Sequence, residues 1–417
     1  MRIERFRTAG GEGRTRTEAE VVWEDSGRAP MTLFFEVLGT GGSDPIETNA
    51  FVAAAAMPAF RYGERRIAVD GAVCPRLRDG IAAAAALLAA WNRPRGSAPV
   101  IEPAEGFAPP RARARRRAAI MASGGIDSTF EIFRNRRDFP RDHPLSFREA
   151  VRLHDFLFPA DASPERRAHV EVRCARAVSA IADAAGLERS EVFTNATALE
   201  PDAEGHLRWA HGSLLASAGI AAGPDLTDVT ISASHDLRNG LRPWGSHPLI
   251  DPQFGTAAIA VRFLGIEISR LRKTAEVARW PAALESLYVC GQGPLPGDAV
   301  NCGACEKCVR TRVSLLVAAG IEDPPTFPPG RVSAEEIDAI APLEGFRLLS
   351  YYWDELAAAA RETGRRDLVA AIARMIARQE AHDRWSERAG WKGALRRVDE
   401  RWLGGALLRL RRARLRR

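Results

Sequence analysis

Lysine is almost absent from this chain. Of 59 basic residues only Lys273, Lys307 and Lys392 are lysine, so the arginine excess belongs to the whole composition and does not by itself mark a nucleic-acid-binding surface. Net charge is +6, yet residues 393–417 alone hold nine arginines against Asp399 and Glu400, or +7, which leaves the remainder at about −1. Long apolar runs are missing too. Ala50 to Met57 and Ile81 to Trp91 are short and alanine-rich, and Met1-Arg2-Ile3-Glu4-Arg5 opens no signal-peptide core, so no membrane span is expected and the cytoplasm is the expected compartment. No Gly-Lys-Ser/Thr triplet occurs, which excludes a Walker phosphate loop. The residue after Met1 is neither Cys, Ser nor Thr, which speaks against an N-terminal-nucleophile glutaminase. No internal repeat is visible.

What is present begins with Ala118-Ala119-Ile120-Met121-Ala122-Ser123-Gly124-Gly125-Ile126-Asp127-Ser128-Thr129. Small and apolar residues read as a buried parallel strand, Ser-Gly-Gly as a tight turn, and the residues from Thr129 onward as a helix. Glycine lets backbone N–H groups approach an anion closely, Ser123 and Ser128 add hydroxyls, and a helix N-terminus adds its dipole. A plain glycine turn between strand and helix is the other reading.

Upstream, residues 1–40 alternate as strands, with a hairpin turning at Asp25-Ser26-Gly27. A helix is expected at 51–56, a strand at 66–71 and a helix at 75–91, together a small α+β domain over 1–93. The Pro-, Ala- and Arg-rich stretch 94–117 reads as a linker. Strands at 150–154, 191–195 and 228–233 alternate with helices at 164–185 and 210–221, the pattern of a doubly wound parallel α/β sheet over 118–288. Ligands of such sheets bind beyond the strand C-termini, where His154-Asp155, Asn195, Ser232, Ser234 and Asp236 fall.

The proline-rich loop Arg242 to Pro252 is either a surface connection or a substrate-binding loop using Arg242, Trp244, His247 and Asp251. Arg270 and Lys273 share a helix face at i, i+3, which suits a polyphosphate or plain solvation. Cys302, Cys305 and Cys308 lie in two overlapping Cys-x-x-Cys steps, with Cys290 twelve residues upstream; a closed Cys₄ shell would make a bound zinc structural, within a segment 289–320. A redox pair and an iron–sulfur cluster are the rivals. Cys74 and Cys174 read as small buried residues. Helical patterns follow at 335–341, 353–361, 366–378 and 400–416, giving a helical extension over 321–417. Its last helix sets Leu403, Leu407 and Leu410 against arginines and suits an anionic membrane or protein partner.

Ser-Gly-Gly-Ile-Asp-Ser resembles the PP-loop of the ATP pyrophosphatase superfamily. Together with the strand–helix alternation and the cysteine cluster, residues 116–320 resemble the 7-cyano-7-deazaguanine synthase family. The resemblance implies the adenine nucleotide alpha hydrolase-like sheet and cleavage of ATP to AMP and pyrophosphate. It implies that Ser123, Gly124, Gly125, Ile126, Asp127 and Ser128 hold ATP and its Mg2+, and that the four cysteines hold Zn2+. Asp127, Ser128 and Lys273 are then the catalytic candidates, with His154 and Asn195 at the nucleotide. His211, where the family has an Arg-Asn pair, joins Ser234, Asp236, Arg242, Trp244, His247, Asp251 and Arg270 as substrate-side candidates. The family's Tyr-Pro-Asp-Cys-Arg motif is replaced by 242–252, so the expected acceptor is another carboxylate or carbonyl, small or on a modified peptide, with ammonia or an amine as donor. A homodimer, a tRNA sulfurtransferase activity and a non-catalytic zinc-containing interaction protein are the further expectations weighed.

Overall fold

The computed structural model describes residues 1–11, 13–39, 45–92, 97–107, 116–154, 156, 163–223, 225–295, 297–343 and 349–386. Asp155 and the basic helix expected at 400–416 lie outside the described residues. The chain divides into two units, residues 1–269 with 280–294, and residues 270–279 with 295 onward.

The first unit is built on one ten-stranded sheet. Its elements in chain order are β1 (Arg2–Gly11), β2 (Arg14–Val22), β3 (Met31–Leu38), α1 (Thr48–Arg61), β4 (Arg66–Val69), α2 (Pro75–Asn92), β5 (Val100–Pro103), β6 (Ala118–Met121), α3 (Ile126–Asp138), β7 (Phe147–Leu153), α4 (Pro164–Ala185) and β8 (Glu188–Thr194). There follow α5 (Ala203–Gly205), a π-helical turn over His206–Ala210, α6 (His211–Ala221), β9 (Asp228–Ser232), α7 (Leu237–Gly240) and β10 (Ala260–Leu264). The strands run β10-β9-β6-β7-β8-β3-β2-β1-β4-β5. From β10 to β8 every neighbour is parallel. In chain order those five strands lie 3-2-1-4-5, and the order reverses at β6, which pairs with both β7 and β9.

All four residues of β6 are buried, because both faces of the sheet are covered. Ala118 and Ile120 pack with Val178 and Ile181 of α4, while Ala119 and Met121 share a core with Leu214 and Ala218 of α6. The helices on the two faces thus follow from the period-2 alternation of a strand apolar on both sides. By contrast β2 is buried at alternate positions, with Arg14, Arg16, Glu18 and Glu20 pointing away from the core.

Residues 1–93 are not a body apart from the α/β domain. The far edge of β8 pairs antiparallel with β3, Val192 opposite Val37 and Thr194 opposite Phe35, so the N-terminal hairpin extends the same sheet. Burying an edge strand this way removes unpaired N–H and C=O groups that would otherwise face water. The stretch expected as a linker contains β5, parallel to β4 in that sheet.

The second unit contains α8 (Arg270–Val277), with α9 (Pro281–Ser286) belonging to the first, then α10 (Glu306–Ala319), α11 (Ala334–Asp338), α12 (Ser350–Glu362) and α13 (Arg366–Ser386). Val309, Val313, Trp353, Leu356, Leu368 and Ile372 form its core. The Trp353 indole N–H donates to Glu306 (3.0 Å), which also pairs with Arg310 (2.7 Å), so two buried charges and an indole satisfy one another. No helix among the described residues is long and apolar enough to cross a membrane.

Candidate functional site

β6 ends at Met121 and α3 starts at Ile126, so Ser123, Gly124 and Gly125 form the turn between them, at the reversal of strand order. Gly124 sits at φ +70°, in the left-handed region, and a Cβ there would lie 2.7 Å from the Ala177 methyl of α4. Glycine is required on both counts. Gly125, the N-cap of α3, is extended at φ −89° and no side chain caps the helix. The first-turn N–H groups, which have no partner within a helix, open toward the turn. Around them the Ser128 hydroxyl approaches the Ser123 N–H and hydroxyl, both at 3.3 Å. Asp127 is half-buried in the first turn of α3. The turn thus gathers two hydroxyls, backbone donors and one carboxylate in a few residues, the equipment to hold an anion and a divalent cation together.

Two residues bracing this turn were not legible in the sequence. The Tyr288 N–H donates to the Gly124 carbonyl (3.0 Å), and the Cys174 thiol donates to the Ser123 carbonyl (3.5 Å). Both come from far along the chain, and neither belongs to a recognisable motif. Burial pushes the Cys174 thiol up to about 11, opposed in part by Arg152, so it stays protonated at neutral pH.

Several of the other sequence candidates are held by partners of their own. His154 does follow the C-terminus of β7, one strand from the turn, but its ring is committed. It stacks on Phe193 at 3.6 Å, meets Glu171 at 2.9 Å and Arg152 at 2.6 Å, and bonds Glu191. Burial disfavours its charged form, but the hydrogen bonds to Glu171 and Glu191 win and raise its pKa. Asn195 closes the seam between β8 and β3, donating to the Thr32 carbonyl (2.7 Å) and accepting from the Phe34 N–H (3.0 Å); its amide is used for the sheet. Asp236 caps α7, accepting from the Asn239 N–H at 3.2 Å, two residues beyond Ser234.

The loop 242–252 is not open along its length. His247 and Asp251 are buried, and Asp251 accepts from the Ser246 hydroxyl (2.6 Å) and the His247 N–H (2.9 Å). The Gly212 N–H at the start of α6 donates to the Gly245 carbonyl (2.7 Å), and a Cβ on Gly212 would lie 2.1 Å from Asp251. Burial lifts Asp251 to about 7, with the two hydrogen bonds pulling the other way. Asp251 thus braces the loop from within, and the Gly212–Gly245 bond fastens it to α6, which leaves Arg242 as its exposed charge and Trp244 half-buried against His235. His211 packs with His206 and Phe156, at ring separations of 5.7 and 4.8 Å. In the second unit Lys273 is buried and Arg270 lies 5.9 Å from the Tyr352 ring, so the two do not form the exposed cationic face expected of them.

The sulfur atoms of Cys290, Cys302, Cys305 and Cys308 all lie within 4.8 Å of one another. Cys302 and Cys305 are 3.7 and 3.4 Å from Cys308. A tetrahedral site with Zn–S of about 2.3 Å has S···S edges of about 3.8 Å, so the spacing suits a metal ion such as zinc. Gly303 takes φ +72° to turn the first Cys-x-x-Cys, and the Cys305 N–H points at Cys302 Sγ (3.3 Å). Cys305 caps α10 and Cys308 lies in its first turn, where the helix dipole favours thiolate. Comparison with protein families, curated proteins and solved structures returned no match to this chain.

Proposed function

We propose that the chain is an ATP-dependent adenylating enzyme of the PP-loop type that forms a C–N bond at an activated carboxylate. The observation that carries this is the Ser123–Ser128 turn at the reversal of strand order in the sheet, with its left-handed Gly124 and uncapped helix N-terminus. Ser123, Gly124, Gly125 and Ser128 hold the pyrophosphate portion of ATP. Asp127 holds magnesium, which neutralises charge on the phosphates. A carboxylate oxygen of the acceptor attacks the α-phosphorus; the bond to the β-phosphate oxygen breaks and pyrophosphate leaves. Ammonia or an amine then attacks the acyl carbon, AMP leaves, and the nitrogen gives up its proton. The neutral donors of the turn stabilise a departing pyrophosphate, and no lysine in it reaches a γ-phosphate.

Sulfur transfer, the runner-up, gains a cysteine beside the turn in Cys174, but a thiol lifted to about 11 is a poor relay. The metal of the four cysteines is read as zinc with a structural role, because four thiolates leave no open position. Nucleotide chromatography over a panel of carboxylate acceptors tests the assignment. AMP and pyrophosphate are expected, with a loss of at least about a hundredfold in Asp127→Asn. ADP and phosphate as products, or full activity in the variant, would sink it.

A further inference from the structure

At the other end of α3 lies a cleft of about 470 Å³ lined by Phe133, Arg136, Phe139, Arg141 and Trp280. Along a helix of 13 residues this is about 20 Å from the Ser123–Ser128 turn. Its volume falls within the range of about 300–1,000 Å³ usual for small-ligand sites. Trp280 and Phe133 are stacked with ring centroids 5.8 Å apart, and Phe139 stacks on His143 at 4.5 Å, so aromatic surface alternates with guanidinium groups.

The cations here exceed what the fold requires. Arg137 pairs with Asp138 at 2.8 Å, but Arg136, Arg141 and Arg148 have no ion pair among the described residues. One arm of Arg136 donates to the Phe147 carbonyl, while its Nε is buried without a hydrogen-bond partner among the described residues. Arg141 lies across Gly186, the C-cap of α4. The C-termini of α3 and α4 each contribute about half a negative charge, against three guanidinium groups. Even with the exposed Asp142 counted, about one positive charge is left over. Burial first, then the proximity of Arg141 and Arg148, lowers the Arg136 pKa, the signature of crowded cations without a counter-ion.

We propose that this cleft is a second ligand site, separate from the Ser123–Ser128 turn, that takes a phosphate ester carried on a planar ring, the chemistry of a nucleotide. Arg136 and Arg141 grip the phosphate, and Trp280 and Phe139 offer ring surface to the base. The assignment does not depend on the reaction proposed for the turn. Free nucleotides and the bases of a single-stranded nucleic acid share this chemistry.

The test is photolabelling of the full chain with 8-azido-AMP, with the labelled residues mapped by mass spectrometry. Label is expected within 133–141 or at Trp280, competed by inorganic phosphate, and reduced at least about tenfold in Arg141→Gln, the loss of one charge-assisted hydrogen bond. Arg141 is exposed, so its replacement leaves the fold intact, which circular dichroism checks. Trp280→Leu provides an independent variant and should reduce label similarly. A ten-residue oligouridylate that competes better than AMP at equal phosphate concentration assigns the site to nucleic acid; the reverse assigns it to free nucleotide. Label confined to 123–129, or unchanged by phosphate and by both variants, overturns the proposal.

Discussion

Replacing Gly124 and Gly125 by alanine, one at a time, separates a structural requirement from a sequence motif. At Gly124 the added methyl meets the Ala177 Cβ at 2.7 Å, and φ is +70°. The left-handed backbone costs about 1–2 kcal/mol in a non-glycine residue. Methyl against methyl has no side-chain torsion to relieve it, and such overpacking adds about 1–3 kcal/mol. The sum, about 2–5 kcal/mol, corresponds to a fall in Tm of about 3–8 °C for a unit of this size. At Gly125 φ is −89° and the nearest atoms are Ser123 Oγ at 3.4 Å and the Tyr288 carbonyl at 3.5 Å, so the methyl fits. Gly125→Ala should stay within about 1 kcal/mol of the parent. Thermal unfolding followed by circular dichroism compares the pair at one pH and protein concentration. Equal Tm values in the two variants would refute the reasoning, because they would show that α4 does not press on the turn or that its backbone is not left-handed.

Burial lifts Asp251 to about 7 from its ordinary 3.8, so the folded chain holds the proton more tightly than the unfolded one. Its stabilisation is complete below about pH 4 and is lost as pH rises through 7. Asp251→Asn should flatten the decline in stability between about pH 4 and 7, and matching pH slopes in parent and variant would contradict this. Protein prepared without chelator should carry about one zinc per chain by atomic emission, and Cys305→Ser should lose metal and melt earlier. An iron–sulfur absorption spectrum, or no metal at all, would reject that. The +7 of residues 393–417 should draw the chain to acidic liposomes at low salt, an effect that sedimentation of a chain ending at Lys392 should no longer show.

The local elements of this protein can be read from its residues. Ala118 to Met121 announced a strand buried on both faces, because continuous small apolar residues have no other stable place in a strand. Gly124 marked the turn, and the cysteine spacing marked a cluster that the fold does assemble. Which strand edges meet is a property of the folded chain. Pairing of β3 with β8 is an antiparallel contact between segments far apart in the chain, and no local pattern encodes it, so an apparent N-terminal domain became the flank of one sheet. The same holds for polar side chains. His154 and Asn195 look alike in sequence to ligand-binding residues, yet each is claimed by partners brought in by packing: Glu171 and Glu191 for the one, the β3 backbone for the other. A polar group withdrawn from water must find such partners to avoid the cost of burial, and they are fixed by packing rather than by neighbours in the chain. Conversely, Cys174 and Tyr288 reached the Ser123–Gly125 turn, and Arg136 and Trp280 came to share a cleft, only because α4 and the segment around α9 return to α3 in the folded chain.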